Sequence, residues 1–139
     1  MNIYLAARYS RRSELCVYRD DLRFRGHNVT SRWLDGTHEA RDGNILADEE
    51  ADLARSAADH DLADVEDADV LIFFSEREAV SRGGRHVEFG YALAMARLTG
   101  YPLYVVGPVE NIFHRLPGVE VFATWPEALA ALPTAGVLA

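Results

Sequence analysis

Asp69–Phe74, DVLIFF, is the stretch whose reading decides the fold. Its apolar residues run without the alternation of a half-solvated strand, and the composition is β-branched and aromatic. That pattern belongs to a strand buried on both faces, as in parallel sheets. Upstream, Asn44–Glu66 is acidic and alanine-rich. Its Ile45, Ala51, Leu53, Ala58, Leu62 and Val65 predict one or two helices. Downstream, Ser75–Gly84 is a polar loop, and His86–Leu98 reads as a helix with Val87, Tyr91, Ala94 and Leu98 on one face.

Working outward, Asn2–Ala7 reads as the first strand and Ser10–Arg25 as a helix with Leu15, Tyr18 and Leu22 at helical spacing, stopped by Gly26. Asn28–Trp33 is expected as a second strand and Leu34–Gly43 as a loop. Pro102–Val106 is a fourth strand, and Gly107–Gly118 a loop with a short turn. Glu120–Phe122 is a fifth strand, and Pro126–Leu132 a closing helix capped by Thr124. Residues 133–139 are expected to fray. Strands alternating with helices predict one α/β domain over residues 1–139. Its expected form is flavodoxin/Rossmann-like: five mainly parallel strands with helices on both faces. In such sheets ligands bind beyond the carboxyl ends of the strands, where the strand order reverses.

The composition narrows the function. The 139 residues carry a net charge of -8, which argues against a polymeric nucleic-acid partner. All 14 basic residues are arginine, so a Walker A lysine and Schiff-base or pyridoxal-phosphate chemistry are excluded. A single cysteine, Cys16, suits a reducing cytoplasm, and no apolar run reaches the ~20 residues of a membrane span. The five histidines show no close pair at metal-ligand spacing, so no metal is expected.

The densest candidate chemistry is Ser81–Gly90, SRGGRHVEFG. Gly83 and Gly84 let backbone N–H groups approach a ligand, the following helix points its positive end there, and Arg82 and Arg85 flank them. An anion site and an ordinary glycine turn both fit. Glu88 is placed in the first helical turn, where the dipole would keep it ionised at neutral pH. It reads either as a nucleophile or as a plain N-terminal glutamate. Asp59, His60 and Asp61 read either as an acid or orienting group, or as part of a solvated acidic face with Asp64, Glu66 and Asp67. Tyr4 and Tyr9, at the first strand, are either core aromatics or hydrogen-bond partners of a carboxylate.

Four segments together resemble the nucleoside 2-deoxyribosyltransferase family, which includes N-glycosidases of deoxynucleoside and cytidine 5′-monophosphates. They are IYLAARYS (3–10), HDLADVEDADVLIFF (60–74), GGRHVEFGYALAMA (83–96) and GYPLYVVGP (100–108). The resemblance implies that Glu88 attacks C1′ of the sugar, Asp61 assists the leaving base, and Tyr4 lies near the nucleophile. It implies substrate contacts from Ala7 and Tyr9, a 5′-phosphate site at Ser81, Gly83 and Gly84, and no cofactor. It also implies a homodimer or larger oligomer, with Asn111–Arg115, including Asn111 and His114, lent by a neighbouring subunit. One departure matters: base-exchanging members carry a further aspartate in the loop before the nucleophile, and here Arg82 stands near that place. A guanidinium cannot shuttle protons, which turns the expectation toward nucleotide hydrolysis. GGRHVEFG resembles the cytidylate N-glycosidases in particular.

Two other readings share these residues. Phosphoribohydrolases of the lysine-decarboxylase-like group use PGGxGTxxE, but SRGGRHVE lacks the inner GT and the spacing. A non-catalytic nucleotide sensor would keep the pocket and release no base.

Overall fold

The computed structural model describes residues 1–36, 46–77 and 83–133. The expectations for 37–45 (including Ile45), for Ser81 and Arg82, and for the tail beyond Pro133 lie outside these. The central strand is β3, Val70–Phe74, with every residue at most 2% exposed. It is flanked by β1 (Asn2–Ala6) and β4 (Leu103–Val106), with β2 (Asn28–Val29) and β5 (Val119–Phe122) at the edges. All pairings are parallel, in the order β2-β1-β3-β4-β5. The chain steps one way from β1 to β2, then crosses back to β3, so the switch point falls between β1 and β3. That is the flavodoxin-like order.

Register decides which side chains share a face. Tyr4 lies opposite Leu71 and Ala6 opposite Phe73, so these four point to one side. Phe73 there meets Phe89 of α3 (Gly84–Thr99) edge-on at 5.4 Å, and α3 packs beside α2 (Ala51–Glu66). Phe74 points to the other side, where it stacks with Tyr18 of α1 (Arg12–Phe24) at 5.4 Å and meets Trp125 of α4 (Trp125–Ala131) at 5.8 Å.

Local signals account for most boundaries. α1 ends where Gly26, at φ 86°, returns its N–H to Arg23 O while His27 N–H reaches Leu22 O. α4 starts in a variant of the capping box: Thr124 Oγ1 accepts from Glu127 N–H, and Glu127 Oε2 accepts the N–H of Ala123, one residue before the cap. After β4, Gly107 sits at φ 115°, and a Cβ there would fall 2.5 Å from Ser75 Oγ. Glycine is thus required where the loops after β3 and β4 touch.

Two expectations are corrected. The second strand does not run to Trp33; it stops at Val29, and Arg32–Asp35 forms a 3-10 turn. Side chains take over from its backbone. Ser31 Oγ accepts from Leu5 N–H at 2.7 Å, and Trp33 Nε1 donates to Leu5 O at 2.9 Å. The edge of β1 is therefore satisfied while the main chain veers away toward α2. In the apolar stripe assigned to the helix after β3, Tyr91 packs against the core but Val87, Ala94 and Leu98 are turned outward. Arg85, Phe89 and Ala92 face the sheet, while Val87 and Leu98 are 64% and 85% exposed. Among the described residues no helix is long and apolar enough to cross a membrane.

Ser31→Ala leaves Leu5 N–H buried without its acceptor, which costs about 1–3 kcal/mol. Urea denaturation should show that loss, whereas Ser13→Ala, on the exposed side of α1, should stay within about 0.5 kcal/mol of the parent.

Candidate active site

Helical spacing sorts the acidic residues of α2. The inward stripe passes through Ala54, Ala57, Asp61, Asp64 and Val65, while Asp59, His60, Glu66 and Asp67 are exposed. The acidic run is thus only partly a solvated face. Asp61 is half-buried with Oδ1 shielded from solvent, and Asp64 is 3% exposed. Across from them α3 presents Glu88, whose Oε2 is fully buried, and the sheet presents Tyr4, which is wholly inaccessible.

These groups lie within electrostatic reach of one another on the α2/α3 side of β1. Burial, followed by the charges of Glu88 and Asp61, holds the Tyr4 hydroxyl protonated far beyond neutral pH. Burial pushes Glu88 up to about 8, helped by Asp61 and then Asp64 and opposed by the nearby Tyr4 hydroxyl. Asp61 rises to about 7, again chiefly through burial, with Asp64 adding to the shift and Arg32 opposing it. The expectation that Glu88 is ionised by a helix N-terminus is therefore corrected. α3 begins at Gly84, and its first turn holds no acidic residue. Glu88 lies beyond that turn, so removal from water outweighs the dipole.

Tyr4 Oη and Glu88 Oε2 have no aligned hydrogen-bond partner among the described residues. Buried polar atoms are normally satisfied, which makes this pair beside the switch point, where the Tyr4 hydroxyl lies close enough to Glu88 to act on its carboxyl, the candidate for ligand chemistry. The carboxyls, with a mean affinity for protons near neutrality, suit a reaction in which one attacks while the other gives or takes a proton.

The glycine pair lies at the entrance to α3. Gly83 adopts φ 89° as N-cap, and a Cβ on either Gly83 or Gly84 would meet nothing within 4 Å among the described residues. The start of α3 carries the positive end of the helix dipole at this glycine pair. Arg85 does not add its charge to it. Its guanidinium is buried, bonds Glu110 through both terminal nitrogens at 2.6 and 2.8 Å, and lies over the Phe73 ring at 4.9 Å. The expected anion-binding role for Arg85 is replaced by a structural ion pair.

Glu110 was not singled out from the sequence, yet from the loop after β4 it joins the loop after β3 to the start of α3. Besides Arg85 it accepts the Glu76 N–H at 3.0 Å and lies 3.1 Å from His86 Nε2. Burial raises its carboxyl, but Arg85 and the Glu76 N–H outweigh that and leave it below the ordinary value. The spacing Arg85–Phe89–Ala92 was the available signal, since it puts the arginine on the buried stripe.

The segment Asn111–Arg115 is likewise different from expectation. His114 is 1% exposed, packs on Phe73 and Phe89, and accepts Glu110 N–H through Nδ1. It is a core residue and cannot be lent to a neighbour. The Asn111 side chain accepts Phe113 N–H, capping the 3-10 turn Ile112–Arg115. Ala7 is partly buried just past β1, and Tyr9 is 41% exposed with its ring 6.0 Å from Trp33. Both lie at the carboxyl end of β1, on the rim of the switch point.

No family model matches the chain, and no curated protein matches its sequence. Solved structures do match its fold. A CMP N-glycosidase, BcmB, from Clostridium botulinum is 18% identical, with 94% of this chain and 96% of that one covered, at a TM-score of 0.54. A 2-deoxyribosyltransferase from the psychrotolerant bacterium Bacillus psychrosaccharolyticus is also 18% identical, with 92% and 90% covered, at a TM-score of 0.60. At this identity the likeness is one of fold: this chain shares its α/β architecture with both, over nearly the whole length of each.

Proposed function

We propose that this protein is an enzyme that cleaves the N-glycosidic bond of a nucleoside or nucleoside 5′-monophosphate. The observation that carries the reading is the buried Glu88–Asp61 pair facing Tyr4 at the switch point. The names of the two structural neighbours, a CMP N-glycosidase and a 2-deoxyribosyltransferase, support the same substrate class.

The chemistry follows that of retaining glycosidases. A Glu88 carboxylate oxygen forms a bond to C1′ as the C1′–N bond breaks, and the electron pair leaves with the base. The two carboxyls share one proton between about pH 7 and 8, and the reacting form is the one that holds it on Asp61, which gives it to that base. The Tyr4 hydroxyl donates toward Glu88 and stays protonated throughout. Water then attacks C1′ of the glycosyl ester, its proton passes to the Asp61 carboxylate, and Glu88 is freed with configuration retained. A second base in place of water gives transfer. A 5′-phosphate is placed at the start of α3, beside Gly83 and Gly84, where a helix N-terminus favours a dianion. The exposed stripe of α3 around Val87 and Leu98 is the surface on which we place a second copy of the chain. Light scattering showing only monomer would remove that part.

Incubation with a panel of nucleosides and 5′-monophosphates, followed by chromatography, should show release of free base, faster from the monophosphates. Glu88→Ala should abolish it with the fold intact, and Asp61→Asn should lower it by about two to four powers of ten. Binding of nucleotide without base release would make the protein a sensor instead.

Productive turnover needs one of the two carboxyls ionised and the other protonated. The dependence of kcat/KM on pH should therefore be bell-shaped. The rate falls as pH drops below about 7, when the second proton binds, and as it rises above about 8, when the last one leaves. A profile flat from pH 5 to 9 would exclude the pair as the reacting groups.

Stability carries the opposite mark of the same burial. Glu88 is protonated in the folded chain up to about 8 but only to 4.5 when unfolded, so the fold loses stability as pH rises between these values. Glu88→Gln removes that loss. Relative to the parent, the variant should gain on the order of a few kcal/mol between pH 5 and pH 9, read by denaturant titration at each pH.

A further inference from the structure

Asp64 lies one helical turn beyond Asp61 on the inward stripe of α2, and the proposed reaction does not use it. It is held from the connection after β2. Its Oδ1 accepts Arg32 Nε at 2.8 Å and its Oδ2 accepts the Arg32 backbone N–H at 3.0 Å. The Asp64 carbonyl accepts Thr30 Oγ1 at 2.8 Å, and Arg32 Nη2 reaches the His60 carbonyl at 3.5 Å. Four bonds thus lace residues 30–32 to the turn of α2 that carries Asp61. The Asp64 side chain is 5% exposed and that of Arg32 is 48% exposed, so a buried anion is fixed by a cation reaching in from the rim.

The surroundings of Asp61 make the placement consequential. The charged and titratable groups that act with it include Asp64 from its own helix, Glu88 from α3, Tyr4 from β1, and Arg32 from the connection after β2. Asp64 and Arg32 act on Asp61 in opposite senses, and Arg32 is the cation of the set. A conformational slip of the Thr30–Arg32 segment would move the turn and alter both influences together.

We propose that Arg32 and Asp64 form a positioning pair, which fixes the Asp61 turn of α2 opposite Glu88 and Tyr4 and supplies it with one negative and one positive neighbour. The catalytic meaning of this pair rests on the function proposed above; its structural and electrostatic meaning does not. Neither residue needs to touch substrate.

Removing each charge should act in opposite directions. The full-length chain, labelled with 13C at Asp and Glu side chains, is titrated by NMR as the parent and as Arg32→Gln, Arg32→Lys and Asp64→Asn. Without the cation, Asp61 should hold its proton to a pH higher by about one unit. Without the Asp64 charge, it should release the proton about one unit lower, and Arg32→Lys should titrate close to the parent. The acid limb of the kcat/KM profile should move the same way in each variant. Shifts of equal sign in Arg32→Gln and Asp64→Asn, or no shift in either folded variant, would overturn the pair. If Asp64→Asn does not fold, Arg32→Gln and Arg32→Lys decide alone: a raised midpoint restored by lysine supports the pair, and an unchanged one sinks it. Should the parent release no base from any substrate, the proposed function falls while the NMR titration still decides the pair.

Discussion

Two carboxyl groups are confined together against the sheet, and Asp61 and Glu88 are both lifted toward neutral pH, chiefly by burial. Charged groups in such a place repel one another and lack solvation, so the chain can keep them there only on a scaffold that does not relax. β3 provides it. With five buried residues paired on both sides, it fixes β1, and therefore Tyr4, at one wall of the site. α2 and α3 bring the acids to the other walls, and their mutual packing closes the space between them. A few kilocalories of local destabilisation are offset by the core beneath.

The brevity of β2 belongs to the same design. A longer strand would carry the chain straight past the end of β1. Ser31 and Trp33 instead complete the hydrogen bonding of Leu5 from side chains, which frees the backbone to turn. That turn delivers Arg32 to Asp64 and sets the Trp33 ring near Tyr9. The end of one strand, the closing turn of α2 and the rim of the site are thus coupled through three consecutive residues, Ser31 to Trp33.

The arginines show how context divides one residue type. Arg85 is buried, sits over an aromatic ring and is neutralised by Glu110, so it anchors the start of α3 to the loop after β4. Arg11 bonds Glu14 and reaches Ser75 O and Glu76, which ties the start of α1 to the end of β3. Arg32 is half-exposed and faces the acids. The planar, multiply donating guanidinium lets each of the three bond more than one acceptor.

The sequence by itself determined the α/β class, the strand at DVLIFF, the helix stop at Gly26 and the cap at Thr124. Each follows from residues within a few positions of one another, where periodicity, capping and backbone preference act. The family resemblance likewise rests on local strings, and it singled out Glu88, Asp61 and Tyr4 before any geometry. Tertiary structure alone decided what those residues experience. The pKa of Glu88 depends on burial and on Asp61 and Asp64 from another helix, so a helix-terminus argument had the wrong sign. Whether Arg85 meets a ligand or Glu110 depends on a residue 25 positions away. Whether β2 continues depends on side chains reaching Leu5 across 26 and 28 positions. Local order is written in neighbouring residues, whereas solvation, charge pairing and strand termination are properties of contacts between distant ones, and these exist only once the chain has folded.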